Sequence, residues 1–369
     1  MCPRKCEVAG MNYLKNMSRS TRVDYLTYAG VIIAFLVVTL CQNMGLLSRQ
    51  TTGMLVPICC YVVMSVSLNL TVGILGELSL GHAGFMSVGA FSGIITSMSL
   101  SASVPSELAR VVLAILVGTI FAAITGVIVG VPVLRLRGDY LAIVTLAFGE
   151  IIRDVINCLL VGWDENGLHF ALNLDGNKNI DDLGLSENGI EIIKGAQGAS
   201  GNDRIATFAV GFVLVMITLI VVLNLIRSRT GRAVMAIRDN RIAAESVGIN
   251  VTKYKLIAFV TSAALAGAAG ALFGLNYASV SAAQFDFNTS IMVLVYVVLG
   301  GLGNIWGSVV ATVVIYVLPE ALREYADLRM LLYAVILILV MLATHSPAVR
   351  DLVARMGKKS REEKEGAAQ

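Results

Sequence analysis

Charge is what this sequence has least of. Asp, Glu, Lys and Arg make up 14% of its 369 residues, where a soluble domain carries roughly 25%. That deficit excludes a mostly water-facing fold and points to lipid as the solvent. Histidine is scarcer still. His82, His169 and His345 stand far apart and in no metal-ligand pattern, so a metal-dependent enzyme finds no ligand set. There is no G-x-x-x-x-G-K-[ST] phosphate loop, so the chain does not itself hydrolyse ATP. No nucleophile–base constellation supports an intramembrane enzyme. The six cysteines, Cys2, Cys6, Cys41, Cys59, Cys60 and Cys158, match no zinc or disulfide framework. Four lie in or beside apolar runs as small packing residues, and Cys2 and Cys6 sit in a basic tail as exposed thiols.

What remains is apolar and small: 56% hydrophobic residues, 35 glycines and a mean hydropathy of +0.78. Small residues let helices approach closely inside a membrane bundle. A span needs about 20 apolar residues. Candidate spans are Leu26–Met44, Thr51–Thr71, Ile74–Leu100, Ala109–Leu134, Asp139–Val161, Ile205–Ile226, Lys255–Asn276, Phe287–Leu299, Gly303–Leu318 and Leu328–Thr344. The first follows a basic stretch, as a signal peptide does, but lacks a cleavage site and reads as an uncleaved helix. Ile74–Leu100 is thick with Gly and Ser. The run from Phe287 to Leu318 is too long for one span and is split at Gly300-Gly301-Leu302-Gly303-Asn304.

Charge placement supports that split, since Arg and Lys mark cytoplasmic loops. Basic segments are the N-terminal tail (Arg4, Lys5, Lys15, Arg19, Arg22), the turn with Arg135 and Arg137, the loop from Arg227 to Lys255, and the C-terminal tail from Arg350. Trp163–Asp203 is acidic, with Asp164, Glu165, Asp175, Asp181, Asp182, Glu187, Glu191 and Asp203 against Lys178 and Lys194. Ten crossings put every basic segment inside and the acidic loop outside, whereas nine would misplace the C-terminal tail. The expected organisation is a cytoplasmic tail over 1–25, a membrane domain over 26–345 and a second cytoplasmic tail over 346–369. Within the membrane domain lie an extracytoplasmic loop, 162–203, and a cytoplasmic loop, 227–254. The basic residues alternate with spans as topology demands and form no nucleic-acid patch. The acidic loop is either a docking surface for an external partner or a passive solvated insertion. Thr71–Gly81 and Leu299–Asn304 are both Gly-interrupted and sit at comparable places in the two halves, as paired broken segments do in repeat-built transporters.

Two sets of residues could carry function. The first lies in the cytoplasmic loop, Arg229–Asn250. Asp239 or Asn240 suits an N-cap, Arg241–Val247 form about two helical turns, and Gly248 is placed to end them. Ile242, Ala243 and Val247 make a small apolar patch, and Ala244 is small enough for a partner to approach closely. The element is a short rigid helix between flexible glycines. It either docks into a soluble partner or lies on the membrane surface. The second set is the intramembrane polar residues: Glu77, Ser79 and His82 in the Gly-rich third segment, and Glu150, Arg153 and Asp154 about halfway along the fifth. Ionisable groups in a bilayer cost several kcal/mol unless paired or facing a wet cavity. Glu150 with Arg153 (i, i+3) and Asp154 (i, i+4) share one helix face. That face either meets the two charges of a zwitterionic solute or is a self-neutralised structural cluster. For His82 a plain packing role also fits.

The order G-R-A-V-x-A-I-R-D-N-x-x-A-A-E-x-x-G-I from Gly231 to Ile249 resembles the coupling loop of ABC permeases of the branched-chain amino acid family. Gly138–Arg153 and Gly76–Ala90 resemble the same family, and the likeness runs from about Gly73 to Thr344. It departs where a T-G-G-P-N-G-I-like stretch is usual. Here Gly195-Ala196-Gln197-Gly198-Ala199-Ser200-Gly201 stands instead. The resemblance implies an all-α polytopic bundle of about ten helices in a bacterial inner membrane. It implies no catalytic residue and no cofactor on this chain. It implies partners: a second related permease, two ATPase subunits that use ATP and Mg, and an extracytoplasmic solute-binding protein. Arg238, Asp239, Asn240, Ala243, Ala244, Glu245 and Gly248 would then form the ATPase-coupling loop, with Glu77, Ser79, His82, Glu150 and Arg153 along the translocation pathway. The carried solute would be Leu, Ile or Val, or in related permeases urea, an amide or another amino acid. A stand-alone secondary transporter is the rival from another class; it needs no rigid cytoplasmic docking helix.

Overall fold

The computed structural model describes residues 19–45, 48–101, 103–136, 138–164, 167–173 and 189–322, with 331, 334, 335 and 338. Both tails beyond these, the acidic residues from Asp175 to Glu187, and most of the expected span Leu328–Thr344 lie outside the described residues. The chain is mostly helical: α1 (Arg19–Asn43), α2 (Arg49–Asn69), a π-helix (Leu70–Leu75), α3 (His82–Ser99), α4 (Glu107–Val133), α5 (Asp139–Asn157), α6 (Phe208–Arg227), α7 (Arg229–Asp239), α8 (Arg241–Ser246), α9 (Val251–Gly274), α10 (Phe287–Gly300) and α11 (Ile305–Ala321). Among the described residues, four stretches are long and apolar enough to cross a membrane, namely 49–75, 107–133, 208–227 and 251–274. Shorter apolar helices run over 27–43, 287–300 and 305–321.

The all-α expectation fails in one place. The loop after α5 folds into β1 (Leu159–Asp164), β2 (Gly167–Leu172), β3 (Ile190–Lys194) and β4 (Ala199–Ser200), and β5 (Ser279–Val280) joins from the far side of α9. The sheet order is β2-β1-β3-β4-β5, with antiparallel neighbours. The fifth span accordingly ends at Asn157, and Leu159–Val161 are strand. These short apolar runs have the β-branched and aliphatic content of half-buried strands, and Val161, Ile192 and Ile193 are wholly buried. The sheet caps one end of the bundle, the end reached by the C-termini of α5 and α9 and the N-terminus of α6. Helices α7 and α8 lie at the opposite end.

The core is α9 against α3 and α4, and small residues set the spacing. A Cβ on Gly89 of α3 would overlap the Gly267 backbone of α9, so bare backbones touch there and dispersion replaces the hydrophobic term that lipid cannot supply. On the outside, α4 turns Leu116, Ile120, Phe121, Ile124 and Ile128 outward, an apolar face that only a lipid or protein neighbour solvates.

The Gly-rich third segment is indeed broken. Helix α2 loosens into the π-helix, which Gly76 ends at φ +78; residues 77–81 are irregular, and α3 starts only at His82. The split at Gly300–Asn304 also stands, because α10 and α11 form a hairpin about that turn, with Gly301 at φ +92 and Gly303 at φ +80. At 14 residues, α10 rises about 21 Å, short of the roughly 30 Å hydrocarbon core.

Candidate functional site

The end opposite the sheet carries a helical arm built by three side-chain caps. Ser228 accepts from the Gly231 N–H to start α7, Asn240 from the Ala243 N–H to start α8, and Asn250 from the Lys253 N–H to start α9, each at 3.1 Å. The N-cap is thus Asn240, and Asp239 is instead the last residue of α7. Gly248 takes φ +84, the left-handed conformation that closes a helix. Helix α7 itself went unread. Gly231 is no flexible joint: it is buried against the Leu225 and Ile226 carbonyls. The Ser228 cap and the i, i+3 pair Val234 and Ile237 were the available signal.

Ala244 corrects a second expectation. It is 4% exposed and packs with Ile237 and Val251 inside the chain, so it locks α8 onto α7 and α9 and presents nothing to a partner. Ala243 is exposed, and Arg241 pairs with Glu245 at 3.0 Å. The outward residues are Ile242 and Val247, 80% and 76% exposed. Two large aliphatic groups are held in the open, one on a six-residue helix and one at its C-terminal cap.

Behind the arm, Arg238, 38% exposed, reaches back to the π-helix. Its Nη1 donates to the Gly73 carbonyl at 3.0 Å, while Nε and Nη2 donate to Asp239 Oδ1 at 3.2 and 3.1 Å. Its aliphatic stem lies so close over Gly76 that a Cβ there would meet Arg238 Cγ at 2.6 Å. Glu77, read from sequence as intramembrane, pairs with Lys255 of α9. The lysine is 6% and the glutamate 14% exposed, so the desolvated charges compensate each other. Glu77, Lys255, Arg238 and Arg241 share a cavity of about 230 Å³ with Leu75 and Gly138.

The remaining polar residues divide. Ser79 is buried, and His82 is 1% exposed with Nε2 2.9 Å from Ser67 Oγ. Among the described residues, the Ser79 hydroxyl and His82 Nδ1 have no partner. Glu150 and Arg153 do pair, at 2.8 Å, with Asp154 at 3.6 Å from the same guanidinium. They lie in the last turns of α5 beside the sheet, and both are about one-third exposed (32% and 30%). Of the five pathway candidates, Glu77 lies at the arm end, while the stretch holding Ser79 and His82 packs on α5 beside Glu150: a Cβ on Gly81 would overlap the Thr145 carbonyl, and one on Gly149 would meet Gly81 Cα at 3.0 Å. Arg153 also faces Asp286, the N-cap of α10. Partial burial pushes the Asp286 carboxyl up, but hydrogen bonds from the Thr289 N–H, Asn288 and the Thr289 hydroxyl, with the Arg153 charge, outweigh it and hold it below the usual carboxylate range. Among the described residues no three metal-ligating groups converge.

Asn69 was missed altogether. Fully buried in α2, it accepts from the Gly303 N–H at 2.8 Å and donates to Ser308 Oγ at 2.7 Å and the Asn304 carbonyl at 3.2 Å. It thus satisfies backbone groups of the α10–α11 turn. An amide near the end of an otherwise apolar span was its sequence signal.

Residues 50–343 match the family described as branched-chain amino acid transport system, permease component. The chain is 35% identical over 293 residues to the high-affinity branched-chain amino acid transport system permease protein LivM of Salmonella typhimurium, covering 76% of this chain and 66% of that protein. It is 33% identical over 308 residues to LivM of Escherichia coli K12, covering 80% and 69%. The chain thus spans about two thirds of the length of these relatives. The LivH permease protein of Salmonella typhimurium is 32% identical over 120 residues, 31% of this chain and 38% of its own. With apolar helices of crossing length and a family match over most of its residues, the chain is a membrane protein and belongs to the branched-chain amino acid transport permease family.

Proposed function

We propose that this chain is the membrane-spanning permease subunit of an ATP-driven importer for branched-chain amino acids, working by alternating access. The observation that carries the reading is the exposed pair Ile242 on α8 and Val247 at its C-terminal cap. Aliphatic side chains fixed in water by a capped helix form a ready docking surface for a soluble partner, and a stand-alone transporter has no use for them. The partner is an ATPase subunit, which uses the ATP and Mg; this chain binds no cofactor and forms no covalent bond to its solute. A second, related permease completes the pathway, and an extracytoplasmic solute-binding protein meets the sheet end. In this reading the arm end is cytoplasmic with both chain termini, in a bacterial inner membrane, and the acidic loop faces outward. Residues 1–25 and 346–369 are its cytoplasmic tails.

The test is ATP-dependent leucine uptake into proteoliposomes holding this chain with its ATPase, permease and binding-protein partners. Uptake should require ATP and be lost in Ile242→Asp/Val247→Asp. Uptake by this chain alone, indifferent to ATP, would establish the stand-alone transporter instead. Uptake of urea but not leucine would keep the mechanism and change the solute.

A further inference from the structure

The two Gly-interrupted segments, alike only in composition when read from sequence, touch. A Cβ on Gly73 of the π-helix would overlap both Asn69 Oδ1 and the Gly303 amide nitrogen, so Gly73 tolerates no side chain at this contact. Asn69 fastens the two breaks through three hydrogen bonds, to Gly303, Asn304 and Ser308. The same π-helix is also held from the arm, since the Gly73 carbonyl, which lies toward Gly303, accepts from Arg238 Nη1. A π-turn replaces the regular i→i−4 ladder with longer, less favourable bonds, and irregular backbone at membrane depth persists only where protein groups satisfy it. Arg238 satisfies the Gly73 carbonyl of the π-helix, and Asn69 satisfies Gly303 and Asn304 of the facing turn.

We propose that Arg238 and Asn69 are positioning residues in one mechanical relay, which carries displacement of the α7–α8 arm through the π-helix to the α10–α11 hairpin. The inference rests on the ATP-driven reading above. A rigid arm moved by its partner carries Arg238 with it, because Ala244 locks α8 to α7 and Asp239 braces the guanidinium. Arg238 then draws the Gly73 carbonyl. Asn69 transfers that motion to Gly303 and Asn304, the one irregular stretch of the hairpin. Packed backbones with no side chain between them leave no slack to absorb the shift.

The experiment uses the full complex in proteoliposomes and reads leucine transported per ATP hydrolysed. The native complex is measured first: if it shows no ATP-driven uptake, the ATP-driven reading falls and the relay with it. With that uptake in place, Arg238→Ala cuts one end of the relay and Gly73→Ala wedges its middle apart. Each should lower the leucine-to-ATP ratio at least tenfold while ATPase subunits still co-purify and hydrolysis stays within about twofold of native. Arg238→Lys, which keeps a cationic donor group, should recover part of the ratio. Gly53→Ala, in an exposed turn of α2 with nothing within 4 Å of an added Cβ, should leave it unchanged. A native ratio in Arg238→Ala overturns the relay even with the importer intact. So does a parallel fall of uptake and hydrolysis in proportion to the amount of complex, which marks a structural role. If Gly73→Ala does not accumulate, Arg238→Ala alone decides.

Discussion

Replacing Glu77 by Gln leaves the Lys255 ammonium, only 6% exposed, without its carboxylate. Lys255→Met does the reverse to a glutamate that is 14% exposed. Removing one partner of a buried pair costs about 3–5 kcal/mol, whereas replacing both with groups of similar volume is often neutral. The quantity to measure is the unfolding free energy in mixed detergent micelles, for both single variants and for Glu77→Gln/Lys255→Met. If the pair is a structural joint between the broken segment and α9, the double variant recovers most of the about 3–5 kcal/mol that a single variant loses. Independent sites would add to about 6–10 kcal/mol. The same set separates the joint from a pathway role. A carboxylate that meets solute directly is needed in the double variant too, so uptake would stay abolished there although stability had returned. Additive stability losses would refute the pairing argument, and abolished uptake with restored stability would return Glu77 to the translocation pathway.

Further outcomes follow from the placement of single side chains. Ile242→Asp/Val247→Asp should change stability by less than about 0.5 kcal/mol, as exposed substitutions do, yet lose ATPase co-purification. Ala244→Asp buries a carboxylate among Ile237 and Val251, so it should cost several kcal/mol in the isolated chain, measured by unfolding without any partner. Asp286→Ala removes the cap of α10 and should cost about 0.5–2 kcal/mol near neutral pH. Because the folded Asp286 pKa is depressed, its contribution is complete above the unfolded value and is lost as pH falls through the folded one. Native and variant unfolding curves should therefore converge on acidification, and a gap that persists at low pH would contradict the sign. In a cysteine-free background, Phe170→Cys, at a position 60% exposed on β2, should react with an impermeant thiol reagent in intact cells; labelling only after lysis would invert the membrane orientation.

Much of this molecule is local and was legible as such. Apolar runs of span length fix helices because backbone groups in lipid have no other partner. Asn240 and Gly248 mark the ends of α8 because a cap and a left-handed closure are chemical properties of single residues. The i, i+3 spacing placed Glu150 beside Arg153 because helix geometry alone does so. Tertiary structure decided what depends on which surfaces meet. Ala244 looks like a site of close approach from either side, and only the packing of Ile237 and Val251 turned it inward. The acidic loop shows apolar fragments too short to distinguish as strands, and the pairing of β1 with β2 and β3 made a sheet of them. Lys255 reads as one more basic loop residue until Glu77 comes to it across 178 positions. Asn69 finds Gly303 across 234 positions. No periodicity encodes such distances: a helix pattern states which face is apolar, and the close contact of small residues then selects the face's partner.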